Sequence, residues 1–333
     1  MVHSGSGTRP KMRPSSDAVN AGATARVTDR GAAAKLGPST FPPAPTIPEA
    51  AVAATTTPAV SAGASLELDL TPARWGLLSS FAAATFLLIP LEQFLIGGAF
   101  FVASLVLVVR DGNPALRRRM GVLLGCIALL AVTPINTQLE PIKFLTLGGP
   151  FLLVIIVPAV ILARTDPGVI RYRFWPTRFR WLDLFYVALS IPLAAFVLDW
   201  YFDVNPFMPF QWPLPEQQDD SKMTMLFWGI NGVGVWDELF FVNTVFAVFR
   251  SLFRFRVANV FQAVVYMSVL YDMAFIGIGP VLVYLFALTQ GSMFEESENL
   301  LYVLVVHLIV DYFLYWQIVM GHYPGYVQQG ILH

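Results

Sequence analysis

The sequence is short of charge: only 13% of its 333 residues are Asp, Glu, Lys or Arg, against roughly a quarter in soluble globular domains. A fold dispersed in water is hard to build from the remainder, in which 56% of residues are hydrophobic and 14% aromatic. Net charge is also small, at −1, so no global field would draw in nucleic acid or an acidic substrate. The single cysteine, Cys126, excludes a disulfide within one chain and a cysteine-based metal site. Inside an apolar run it reads as a small buried hydrophobe. Aromatic residues are missing from residues 1–70 apart from Phe41, and Ala, Pro, Ser, Thr and Gly dominate there. Such a stretch cannot bury enough apolar surface to offset its chain entropy, so a disordered tail is expected. No apolar run follows Lys11 and Arg13 in the first thirty residues, so a cleavable signal peptide is not expected either.

From Thr71 onward the chain is a succession of apolar runs, several long enough to cross a hydrocarbon layer of about 30 Å, which takes about 20 helical residues. They fall near 73–91, 93–109, 119–138, 144–164, 181–202, 223–249, 257–276, 278–291 and 299–320. The first two meet around Pro90 to Glu92, as a hairpin or as one broken helix, so the count is eight or nine spans. The expected fold is all-α, a polytopic transmembrane helix bundle behind a disordered N-terminal tail. Residues 71–222 would form the first helices, 223–320 the helices that carry a site, and 321–333 a short C-terminal tail.

Lys and Arg favour the cytoplasmic side of a membrane. Arg110 and Arg117 to Arg119 lie between the second and third spans, Arg164 to Arg180 between the fourth and fifth, and Arg250, Arg254 and Arg256 after the sixth. The loop from Asp203 to Lys222 is acidic, with Glu216, Asp219 and Asp220, and suits the opposite face. Nine spans then give an integral, multi-pass protein, expected in the plasma membrane, with a cytoplasmic N-terminus.

Five ionisable residues interrupt the apolar runs: Asp237 and Glu238, then Asp272, then His307 and Asp311. A charged group at mid-membrane costs about 2.5–3.5 kcal/mol on insertion scales, so such groups are paired, neutralised or functional. At about 1.5 Å per helical residue, Asp237, Asp272, His307 and Asp311 lie about 18, 22, 12 and 18 Å from the expected cytoplasmic ends of their helices, counted from Phe249, Val257 and Asn299. Three helices therefore present polar groups in one layer. His307 and Asp311, four apart, share a helix face. Asp237 and Glu238 are about 100° apart, so one of them is free to enter a site while the other braces a neighbour. Asn243 turns well away from both and is expected to act as interhelical glue. Asp183 and Asp199 read as interfacial, Trp181, Trp200 and Tyr201 as belt residues, and Gly229, Gly232 and Gly234 as close-packing positions.

Asp237-Glu238-Leu239-Phe240-Phe241-Val242-Asn243, the helix with Asp272, and the run from Phe286 through Thr289-Gln290-Gly291-Ser292 to His307-Leu308-Ile309-Val310-Asp311 together resemble the CPBP family of intramembrane proteases. That family includes the CAAX prenyl proteases and bacteriocin-related membrane peptidases. Its pattern is EExxxR, then FxxxH, then HxxxN or HxxxD, and the likeness covers about residues 223–320. Glu238, His307 and Asp311 match the pattern. Asp237 stands at the first glutamate, Val242 at the arginine, Ser268 at the phenylalanine and Asp272 at the second-motif histidine.

The resemblance implies membrane helices around a hydrophilic cavity, with a carboxylate activating water to hydrolyse a peptide bond in a membrane-associated or lipidated substrate. Asp237 or Glu238 would act as general base, His307 would hold the water or oxyanion with Asp311 orienting it, and Asp272 would replace the family's histidine. Glu238, Asp272 and His307 could also hold a divalent metal such as zinc. Two other functions fit the same residues: a catalytically inactive membrane scaffold, and a proton- or ion-coupled transporter. No duplicated pattern of broken helices accompanies the latter.

Overall fold

Proline sets several helix starts in this protein, because a residue without an N–H loses nothing in the first turn of a helix. The structure is a computed structural model and describes residues 65–175, 180–273 and 275–325. α1 (Pro72–Leu88) begins behind Thr71, whose hydroxyl accepts from the Arg74 N–H. α2 (Phe94–Arg110) follows a tight turn in which Glu92 takes a positive φ of 49°. α3 (Pro114–Ala131) is capped by Asn113, which accepts from the Ala115 and Leu116 N–H groups. α4 (Pro141–Thr165) and α5 (Trp181–Val204) are the long apolar rods of the first half. A short 3-10 turn, Met208–Gln211, leads to α6 (Asp220–Asp237).

The backbone then widens into a π-helical segment, Glu238–Phe246, before tightening again into α7 (Ala247–Leu252). The Thr244 hydroxyl donates to the Leu239 carbonyl, five residues back, at 2.9 Å. π turns inside α-helices concentrate at functional sites, and this one opens on Glu238. α8 (Phe255–Asp272), α9 (Gly279–Ser297) and α10 (Leu300–His322) complete the chain.

All regular structure among the described residues is helical. Four helical stretches are long and apolar enough to cross a membrane: α4, α5, the continuous Asp220–Leu252 and α10. Their outward faces carry Leu152, Phe185, Phe196 and Trp228, all exposed, as a membrane protein's do. α1 and α2 pack on each other as a hairpin, α1 and α9 flank α8, and α5 and α6 flank α10. One hydrophobic core joins Phe81, Leu116, Met120 and Phe151 to Phe240, Phe249 and Val265, so the segments before and after residue 222 share their packing. Trp236 ties them further, stacking on Phe151 at 3.8 Å and donating from Nε1 to the Phe151 carbonyl at 2.7 Å.

Several boundaries differ from those read in the sequence. α3 starts at Pro114 and stops at Ala131, short of 138, and α8 ends at Asp272, whereas α9 runs on to Ser297. The tail expected over residues 1–70 lies outside the described residues as far as residue 64. Its last part is anchored, since Leu66 and Leu68 donate to the Ser251 and Leu252 carbonyls at 2.9 and 2.8 Å. Tyr201 is no belt residue: it is fully buried, and its hydroxyl donates to the Ile276 carbonyl at 2.9 Å. Gly232 faces open space rather than a packed neighbour.

The arginines gather at one end. Arg118 and Arg119 both clamp Asp166, at 2.8 and 3.0 Å, and Arg119 also donates to the Ser251 carbonyl. Arg250 pairs with Glu295 at 2.9 Å, and Arg173 with Glu298. The Arg118 hydrogen bond holds the Asp166 carboxyl below its ordinary value of 3.8, and Arg74 does the same for Asp111.

Candidate functional site

Asp219 caps α6 by accepting from the Ser221 and Lys222 N–H groups, and the helix then runs to Asp237 and the π segment. Adjacent helical residues diverge, and these two do. Asp237 faces a large cavity, whereas Glu238 lies behind the ring of His307 with no exposure at all. α10 supplies His307 and Asp311 from one face, as their spacing of four requires.

The imidazole is the hub. His307 Nδ1 is 2.7 Å from Glu238 Oε1, and Nε2 is 3.6 Å from Asp237 Oδ2 and 3.6 Å from Asp311 Oδ1. Gln290 on α9 donates to Glu238 Oε1 at 3.1 Å. The hydroxyl of Tyr266 on α8 donates to Asp237 Oδ2 at 3.4 Å and stands 3.3 Å from His307 Nδ1. Phe286 meets the His307 ring edge to face, with centroids 5.2 Å apart, and so fixes its tilt. Glu238 is thus the carboxylate at Nδ1, and Asp311 stands with Asp237 near the other nitrogen.

A cavity of about 740 Å³ ends on Asp237, Tyr266, His307 and Asp311. Its walls come mainly from α5, α6, α9 and α10 and are apolar, with Leu193, Val197, Leu285 and Val310 among them. Gln138, Lys143, Ser292 and Glu296 also line it. An apolar cleft with a few convergent polar groups is the usual form of a small-molecule or peptide site. Gly234 lets α6 and α10 approach here, because a methyl at that position would run into Asp311 Oδ2 and stand 3.1 Å from His307 Cδ2.

Neither family models nor curated proteins nor solved structures give a match to this chain.

Four of the five candidate residues converge: Asp237, Glu238, His307 and Asp311. The side chain of Asp272 lies outside the described residues; its backbone ends α8, six residues beyond Tyr266 or about 9 Å along the axis. Asn243 is kept apart from the four, lining a smaller cavity with Arg250 and Glu295. Among the described residues no group of three or more His, Cys, Asp and Glu is arranged to hold a metal ion. Glu238 and His307, two of the three candidate ligands, are bonded to each other. Tyr266 and Gln290 were not singled out in the sequence, since a lone Tyr or Gln in an apolar helix carries no charge penalty that marks it. Gln290 does fall within the run that carries the family likeness.

Proposed function

We propose that this chain is an intramembrane peptidase of the CPBP type, hydrolysing a peptide bond in a membrane-associated or lipidated substrate. The observation that carries the proposal is the meeting of Asp237, His307 and Asp311 in the wall of a mainly apolar cavity, with a fourth group, Glu238, hydrogen-bonded to the ring from the other nitrogen. Separations of 3.6 Å on both sides of Nε2 are too long for direct hydrogen bonds and suit a bridging oxygen.

In this reading a water held between Nε2 and the two aspartates gives a proton to Asp237, the cavity-facing member of the adjacent pair. Its oxygen bonds to the substrate carbonyl carbon, and Nε2–H donates to the oxyanion that develops. As the C–N bond breaks, the proton on Asp237 passes to the leaving nitrogen, giving an acid and an amine. Asp311 orients the water, Tyr266 positions Asp237, and Glu238 with Gln290 locks the imidazole. The apolar walls suit a hydrocarbon or an apolar peptide segment.

Nine spans fit the helix order once α6, the π segment and α7 count as one rod. Gathering of Arg118, Arg119, Arg173 and Arg250 at one end supports a cytoplasmic face there and a cytoplasmic N-terminus. The plasma membrane is the proposed location.

The experiment is cleavage of membrane and prenylated peptides by the purified protein in liposomes. Wild type should cut at least one of them, and Asp237→Asn, Glu238→Ala and His307→Ala should each lower the rate by at least a hundredfold. No cleavage by wild type, or indifference to all three changes, would refute the proposal.

A further inference from the structure

Between α8 and α9 the protein buries a row of polar groups, of which Asn259, Gln262 and Ser292 take no part in the chemistry above. Asn259, Gln262 and Tyr266 follow at spacings of three and four, which lines them along one face of α8. Gln262 and Tyr266 are fully buried and Asn259 nearly so. Across from them on α9 are Gln290, also fully buried, and the partly exposed Ser292. Asn259 Nδ2 donates to the Leu288 carbonyl at 2.9 Å and to Ser292 Oγ at 3.3 Å. Gly291 makes room for this set: a methyl there would run into Asn259 Oδ1 and stand 3.5 Å from Gln262 Oε1. At the far end Gln290 reaches Glu238.

Among the described residues no group partners Glu238 Oε2, Gln290 Oε1, Asn259 Oδ1 or either polar atom of Gln262. Polar atoms so buried are almost always satisfied in native proteins. Whatever satisfies these must both donate and accept, because Gln262 presents an amide NH2 as well as a carbonyl oxygen. A cation would meet the oxygens and be repelled by the amide hydrogens, whereas water serves both. Ser292, at the near end, also lines the main cavity beside Glu296, on the side where Arg250 pairs with Glu295.

We propose that a file of water molecules runs between α8 and α9 from Ser292, at the cavity wall, past Asn259 and Gln262 to Glu238, and that it brings water and protons to the back of the site. What the water does at the end of the path rests on the peptidase proposal; the path itself does not.

Silver ion, small and hydrated, is the probe. In full-length protein carrying Cys126→Ala, single thiols are introduced by Gln262→Cys and, as a control in the apolar core, by Val265→Cys, which is equally buried. Silver added in liposomes should block the Gln262→Cys thiol at least tenfold faster than the Val265→Cys thiol. Adding Gly291→Val, whose side chain would run into Asn259 Oδ1 and crowd Gln262, should obstruct the path and bring the two rates together. Equal rates for the two thiols without that change would overturn the proposal. Should Gln262→Cys fail to fold, Asn259→Cys takes its place against Val265→Cys: a tenfold contrast upholds the path and equal rates overturn it. A tenfold contrast in a protein that cleaves nothing would sink the peptidase reading and leave the path standing; equal rates in an active enzyme would do the reverse.

Discussion

A methyl group added at Gly234 tests the geometry of the site without removing any of its chemistry. In Gly234→Ala the new carbon would overlap Asp311 Oδ2 and approach Asp311 Cγ and His307 Cδ2 to 3.1 Å each. Either Asp311 leaves its rotamer or α6 and α10 part. Overpacking of this kind costs about 1–3 kcal/mol, while replacing a helical glycine by alanine returns about 1 kcal/mol. Gly232, two residues earlier on the same helix, offers the control, since nothing lies within 4 Å of a methyl there. Gly232→Ala collects the propensity gain alone. The difference in unfolding free energy between the two variants therefore isolates the overlap, at about 1–3 kcal/mol, with Gly234→Ala the less stable. Equilibrium unfolding in one detergent, followed by helical circular dichroism, measures that difference. Two variants agreeing within about 0.5 kcal/mol would show that Asp311 and His307 do not pack against α6 as described. Cleavage should fall in Gly234→Ala and stay at the wild-type rate in Gly232→Ala.

Asp166→Asn removes the shared acceptor of Arg118 and Arg119 and should destabilise by about 2 kcal/mol at neutral pH, the scale of hydrogen bonds to charged groups, as read by thermal unfolding. The folded carboxyl titrates below its ordinary 3.8, so its contribution is complete above that value and is lost as pH falls through the lower folded one. The gap between wild type and Asp166→Asn should accordingly close below about pH 4, and a gap that widens there would contradict the pairing. Trp236→Phe loses the bond to the Phe151 carbonyl and part of a stacked ring, for an expected loss of about 1–3 kcal/mol by the same unfolding assay. Tyr266→Phe keeps the ring against Phe241 at 4.2 Å but removes the hydroxyl between Asp237 and His307. Its peptide cleavage should drop about tenfold, which corresponds to about 1.4 kcal/mol, the scale of one positioning hydrogen bond, with helicity unchanged.

The sequence by itself determined that this chain is helical and that apolar faces cover it, because a run of about 20 apolar residues has few other stable forms. It also picked out Asp237, Glu238, Asp272, His307 and Asp311, since the cost of an ionisable group among apolar residues is a local property that the sequence displays. Helical spacing fixed that His307 and Asp311 share a face. Which helices are neighbours is not local, and only the tertiary structure decided it. Glu238 rather than Asp311 reaches Nδ1 because a π turn begins at that residue and because α10 crosses α6 at Gly234. Tyr266 and Gln290 became visible for the same reason: uncharged side chains declare a role only through what they touch, and what they touch is set by packing between segments far apart in the chain.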